Sequence, residues 1–184
     1  LLSYCYQVAG AVGVMMAHVM GVPPEDTDTL DRAADLGIAF QLANIARDIV
    51  DDAMVGRVYL PAEWLEAEGL AGADLAEPTH RRALARLGLR LEQLADRYRR
   101  SSKTGAARLP FRSRWAVISA AGIYGEVATK VAALGPRAWD MRVSTSKGEK
   151  LALVMEAFWE SLLPVRPSAR GGLWTRPRHG PSAP

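Results

Sequence analysis

The sequence predicts an all-α fold. Three observations carry that expectation. Apolar residues recur at three- and four-residue spacing; no stretch alternates apolar with polar as a half-buried strand would; and prolines fall between the periodic runs, at Pro23, Pro24, Pro61, Pro78, Pro110 and Pro136. A hydrophobic content of 49% over 184 residues is enough to bury one sizeable core. No internal repeat is visible.

Residues 1–21 read as a first helix rich in small residues (Ala9, Gly10, Ala11, Gly13), and Pro23-Pro24 end it. Glycine weakens a helix, so this cluster implies close approach of a neighbouring helix or a ligand. Asp28 and Asp31 mark the start of a second helix, which runs to about Met54 and stops at Gly56. At ~1.5 Å per residue it is about 40 Å long, enough to cross a domain. Residues 57–78 are irregular apart from a short helix near Ala62–Glu68. Thr79 is placed as the cap of a helix reaching about Arg100, with Leu84, Leu87, Leu91, Leu94 and Tyr98 on its apolar stripe and its arginines on a solvated face. Gly105 and Pro110 mark a loop. Two further helices cover 113–134, closed by Gly135-Pro136, and 147–163. The domain is thus 1–163, and the Pro-, Gly- and Arg-rich tail 164–184 is expected to be disordered.

Charge excludes one function class. The net charge is +3, but the tail holds Arg166, Arg170, Arg176 and Arg178 and no acid, which leaves 19 basic against 20 acidic residues in the body. No basic face for nucleic acid is implied. The single Cys5 sits in an apolar run and is read as a buried thiol. No run of ~18 uninterrupted apolar residues suggests a membrane-spanning helix. The three histidines are scattered, and Gly171-Gly172 is too short a signal for a phosphate loop.

The second helix carries the chemistry. At ~100° per residue, Gln41, Asn44, Asp48 and Asp52 fall within an arc of about 80°, flanked by Ile45 and Ile49. Two carboxylates one turn apart repel unless neutralised, and burying them alone costs several kcal/mol. Their oxygens, with that of Asn44, suit Mg²⁺, which takes one or two carboxylates and completes its shell with water and phosphate. Arg47 beside the stripe and Arg57 after the helix, with Tyr59 close behind it, add the bidentate phosphate chemistry of arginine. By itself D-x-x-x-D is a weak signal. The alternative is a solvated pair, or one paired with Arg47. A second instance, Asp31 and Asp35, lies outside this stripe and is read as charge favoured by the helix dipole.

At these residues the chain resembles the squalene/phytoene synthase family. The resemblance lies in YCYQVAGAVGVMM at 4–16, DLGIAFQLANIARDIVDDAMVGRVYLP at 35–61, AAGIYGEVATKV at 120–131, Trp139–Arg142 and Ser146–Lys150. It covers roughly residues 1–162, and the wording of the first two blocks is nearest the bacterial phytoene-forming members. It implies an isoprenoid-synthase helical bundle around a central cavity. It also implies a prenyl transferase that joins two geranylgeranyl diphosphates head to head, through prephytoene diphosphate, to phytoene. The implied catalytic residues are Tyr4, Asp48 and Asp52. The implied diphosphate ligands are Gln41, Asn44, Arg47, Arg57, Tyr124 and Arg142, and the implied metal ligands are Asn44, Asp48 and Asp52, for Mg²⁺ or Mn²⁺ without NADPH.

The family's first aspartate-rich motif finds no counterpart here, so the chain is read as a C-terminal part whose isolated 184 residues are expected to be inactive. Alternatives are a squalene or dehydrosqualene synthase using farnesyl diphosphate, and a non-catalytic relative serving assembly. A cytoplasmic location is expected, with peripheral contact at the inner face of a membrane and downstream carotenoid enzymes as further partners.

Overall fold

In the computed structural model, residues 1–177 are described. Among them every regular element is helical. The first helix is continuous but built in three parts: α1 (Leu2–Cys5), a π-helical stretch (Tyr6–Gly10) and α2 (Ala11–Val19). The central helix is α3 (Thr27–Met54). After it come α4 (Ala62–Ala67), α5 (Arg81–Ala106), α6 (Phe111–Leu134) and α7 (Lys147–Leu162).

α3 is the axis on which the rest is hung. It packs along α5, is crossed by α2 and the π stretch, and meets α6; α7 closes over α6. The expected close approach of small residues is real. A Cβ on Gly37 would lie 2.3 Å from the Ala9 carbonyl oxygen, and one on Gly13 would lie 2.3 Å from that of Ala33. Backbone therefore meets backbone where these helices cross, and only hydrogen fits between them. The main core gathers Ile38, Leu42, Ile45 and Ile49 of α3 with Leu84, Leu87, Leu91 and Tyr98 of α5. Cys5 is fully buried there, and burial pushes its thiol up to about 12.

Several boundaries differ from the sequence expectation. The cap of α3 is Asp26, whose carboxylate accepts from the Thr29 backbone N–H (3.1 Å) and hydroxyl (2.6 Å), not Asp28. Thr79 caps nothing: its hydroxyl reaches Glu77, and a 3₁₀ turn (Pro78–His80) leads into α5. α5 continues to Ala106, so Gly105 is helical. A Cβ there would lie 2.7 Å from Cβ of Arg32, so this glycine serves helix contact rather than a loop. α6 is, by length and composition, apolar enough to cross a membrane. Here it lies among α3, α5 and α7, with Ile118, Ala121, Val127, Ala128 and Val131 buried.

The largest difference is the tail. It was expected to be disordered from residue 164, yet residues 168–176 lie against α3 and α5. Arg170 pairs with Asp35 (2.8 Å) and Arg176 with Asp31 (2.8 Å). Asp31 and Asp35, read from sequence as charge favoured by the helix dipole, are buried partners of arginine. Composition misled because a segment poor in apolar residues can still be held by charge pairs and one tryptophan. Residues 178–184 lie outside the described residues.

Candidate active site

The polar stripe forms as its spacing implies. Gln41, Asn44, Asp48 and Asp52 are all half-buried along the C-terminal half of α3, beside the buried Ile45 and Ile49. Arg47 folds back on its neighbour: its Nε donates to Asp48 Oδ1 (2.8 Å) and its Nη2 to Oδ2 (2.5 Å). The segment after α6 adds a second arginine. Trp139 donates its indole N–H to the Ala46 carbonyl (3.1 Å), which pins this segment over α3 and brings Arg142 Nη2 to 3.4 Å from Asp48 Oδ1.

Asp52 lies one turn further on. Burial, then repulsion from Asp48, holds its carboxyl above the usual carboxylate range, and Arg57 and Arg142 offset part of this. Arg57 is placed by the turn that ends α3, where its backbone N–H donates to the Asp52 carbonyl (2.9 Å). Tyr59 follows it and stacks on Tyr4 from the first helix, ring centroids 5.0 Å apart. A hydrogen bond with Tyr59 raises the Tyr4 hydroxyl above its ordinary value, and burial and the nearby Asp52 act in the same direction. Tyr124 of α6 stacks on Phe40 of α3 at 4.1 Å and bears electrostatically on Arg47.

The structure thus brings Asp48, Arg47 and Arg142 into direct contact, sets Asp52 beside Arg57, and places Tyr4 and Tyr124 on either flank of the stripe. Gln41 and Asn44 share the face through helix geometry. Sequence reasoning did not assign roles to Tyr59 or Trp139. Tyr59 was visible as the aromatic after Arg57, but its contact with Tyr4 is a long-range one that no local pattern reveals.

On the N-terminal half of α3 lies an apolar cavity of about 380 Å³. Val12 and Met16 of α2, Leu36 and Phe40 of α3, and Val117 and Ala120 of α6 line it, and Thr29, Arg32 and Ser102 supply its few polar groups. Phe40 joins the two regions, since it lines the cavity and supports Tyr124. Gly13 both lines the cavity and touches α3, so the small residues of the first helix make room and allow tight packing at once.

Among the described residues no group of three or more His, Cys, Asp or Glu side chains could hold a metal. The donor set at Asn44, Asp48 and Asp52 still fits Mg²⁺: hard oxygens and two carboxylates, with the Asp52 carboxyl raised first by burial and then by the neighbouring Asp48.

Residues 1–149 match the family described as squalene/phytoene synthase. Over 179 residues the chain is 51% identical to the 15-cis-phytoene synthase of Pantoea ananas, covering 96% of this chain and 57% of that protein. It is 47% identical over 182 residues to the 15-cis-phytoene synthase of Paracoccus sp. (strain N81106 / MBIC 01143), covering 97% and 58%. A dehydrosqualene synthase solved in complex with ligand superposes with a TM-score of 0.76 at 32% identity, over 85% of this chain and 55% of that one. The chain spans little more than half the length of these relatives, and its fold is the helical isoprenoid-synthase type. On this combined match of family, sequence and fold, the chain belongs to the squalene/phytoene synthase family.

Proposed function

We propose that this chain carries the second diphosphate-binding half of a phytoene synthase, an enzyme joining two geranylgeranyl diphosphates head to head. The observation that carries the reading is a single helix with a carboxylate–arginine cluster at one end and an apolar cavity along the other. That arrangement suits an amphiphile with a diphosphate head and a long hydrocarbon chain. The 51% identity to a 15-cis-phytoene synthase supports the C20 substrate.

Each residue has a task in the reaction. Arg47, Arg57 and Arg142 bind the diphosphate and take up the charge that develops as the first C–O bond ionises. Asn44, Asp48 and Asp52 would hold Mg²⁺ or Mn²⁺, which when bound supplies further charge neutralisation to the leaving diphosphate. Gln41 orients the head group from the same face. The double bond of the second substrate attacks the allylic cation, and loss of a proton closes the cyclopropane of prephytoene diphosphate. That ester ionises in turn, rearranges and loses a proton to give phytoene, so two diphosphates leave and no reductant is consumed. The Tyr4–Tyr59 pair presents aromatic faces beside Asp52, suited to a neighbouring cation. Apolar walls keep water from the cations. The hydrocarbon product also supports peripheral contact with a membrane as the protein's working place.

The test is to incubate the product of the full-length gene with geranylgeranyl diphosphate and Mg²⁺, without NADPH, and identify the hydrocarbon. Phytoene is expected, and its loss in Asp48→Ala and Asp52→Ala. Product from farnesyl diphosphate alone would favour the dehydrosqualene reading, which the structural neighbour keeps in view. No hydrocarbon from either substrate in a folded protein would favour the non-catalytic relative.

A further inference from the structure

α3 carries two D-x-x-x-D pairs. The outer pair, Asp48 and Asp52, belongs to the site above. The inner pair, Asp31 and Asp35, is more deeply buried, with side chains 3% and 0% exposed. Two carboxylates at that depth demand positive partners. The chain supplies them from its own C-terminal segment. Arg170 meets Asp35 in a two-pronged contact, Nε to Oδ2 and Nη2 to Oδ1, both at 2.8 Å, and its Nη1 lies 3.5 Å from Asp31. Arg176 donates through Nε to Asp31 Oδ1 at 2.8 Å. Ser101 of α5 donates to the same Asp35 oxygen at 2.6 Å.

The segment is held along its whole course. The Ser168 backbone N–H donates to the Thr104 hydroxyl (3.0 Å), and the Ser168 carbonyl accepts from Arg32 Nη2 (3.0 Å). Between the two arginines, Gly172 takes a positive φ of 75° and turns the chain. The Trp174 backbone N–H then reaches the Tyr98 hydroxyl (3.0 Å), and the Trp174 ring packs 5.5 Å from that of Tyr6. The same turns of α3 and α5 face the apolar cavity on their other side, through Thr29, Arg32, Ala33, Ser102 and Gly105. Arg32 touches both: it lines the cavity and binds Ser168.

We propose that the groove between α3 and α5 is a recognition site for residues 168–176 of this chain, and that this segment is a latch fixing the deep wall of the cavity. Arg170 and Arg176 are its two pins, Gly172 its turn and Trp174 its plug. The latch does not depend on which prenyl diphosphate the cavity takes, or on catalysis at all, so its test stands apart from the activity assay.

Trypsin reads the latch directly. Arg166 and Arg176 are each followed by proline, which trypsin does not cleave, so within residues 168–176 the reporting bond is Arg170–Gly171. In the intact chain, release of the fragment beginning at Gly171 is expected to be at least about tenfold slower than from a synthetic peptide of residues 164–184, because cleavage must wait for local opening. Cutting at the peptide's rate would overturn the latch. An Asp31→Asn/Asp35→Asn variant that keeps its helical circular dichroism is expected to be cut like the peptide, and continued protection would also overturn it. If that variant loses its helices, thermal midpoints of Arg170→Gln, Asp35→Asn and the double variant decide. The double variant is expected to lose less than the sum of the singles, and strictly additive losses would sink the proposal.

Discussion

At Asp48 two arginines share one carboxylate. Arg47 and Arg142 both reach it, while Asp52 beside it keeps a raised carboxyl because burial and Asp48 outweigh Arg57 and Arg142. On the proposed function, a diphosphate arriving with its metal would draw the arginines to phosphate and leave the carboxylates to the cation, so binding would reassign partners already gathered there. Glu149 at the start of α7 shows the effect of partner charge on an exposed carboxylate. Bonds from Lys130 (2.6 Å) and the Ser146 backbone N–H (2.7 Å) hold its carboxyl well below its ordinary 4.5, at about 2. A carboxyl depressed on folding stabilises above its unfolded value and loses that contribution as pH falls through its folded one. The difference in thermal midpoint between the wild-type chain and Glu149→Gln is therefore expected to be full above about pH 4.5 and to close as pH approaches 2. A difference that persists unchanged at pH 2 would show that Glu149 acts otherwise than through its charge.

Among elements, the crossing of α2 over α3 is the tightest joint. Gly13 and Gly37 each face a backbone carbonyl of the other segment, with no side chain between to yield. Gly37→Val should push the first helix away from α3 at a cost of about 1–3 kcal/mol or more, the usual range for overpacking a filled contact. Thermal or urea unfolding measures this; Gly148→Val on α7, where an added Cβ meets nothing within 4 Å, is the control expected to change far less. The crossing bears on function because it sets the spacing between Val12 or Met16 on one cavity wall and Leu36 on the other. The α3–α5 contact at Gly105 and Arg32 works in the same way at the cavity's polar end.

For the molecule as a whole, one long helix divides two environments: a charged cluster on its C-terminal half and an apolar cavity along its N-terminal half. Val8, Val12 and Met16 line that cavity and are each more than 40% exposed, so it is reachable from solvent. An apolar fluorophore such as anilinonaphthalene sulfonate is expected to bind the folded chain with enhanced emission, and geranylgeranyl diphosphate to displace it. An Ala120→Phe change, which fills the cavity, should reduce both; unaltered binding in that variant would place the dye elsewhere.

Local periodicity determined the helices, because a 3.6-residue repeat of apolar residues has one way to bury itself. The same rule placed Gln41, Asn44, Asp48 and Asp52 on one face, since helical spacing alone aligns them. The family blocks added Tyr4, Tyr124 and Arg142, which no periodicity singles out. What the sequence could not decide was pairing across distance. Tyr59 meets Tyr4, Trp139 anchors Arg142 over α3, and Arg170 and Arg176 fill the charge of Asp31 and Asp35 only once the chain has folded back on itself. Composition judged the last segment by its few apolar residues. Its order comes instead from two carboxylates buried elsewhere, whose need for counter-charge is a property of depth, and depth exists only in the tertiary structure.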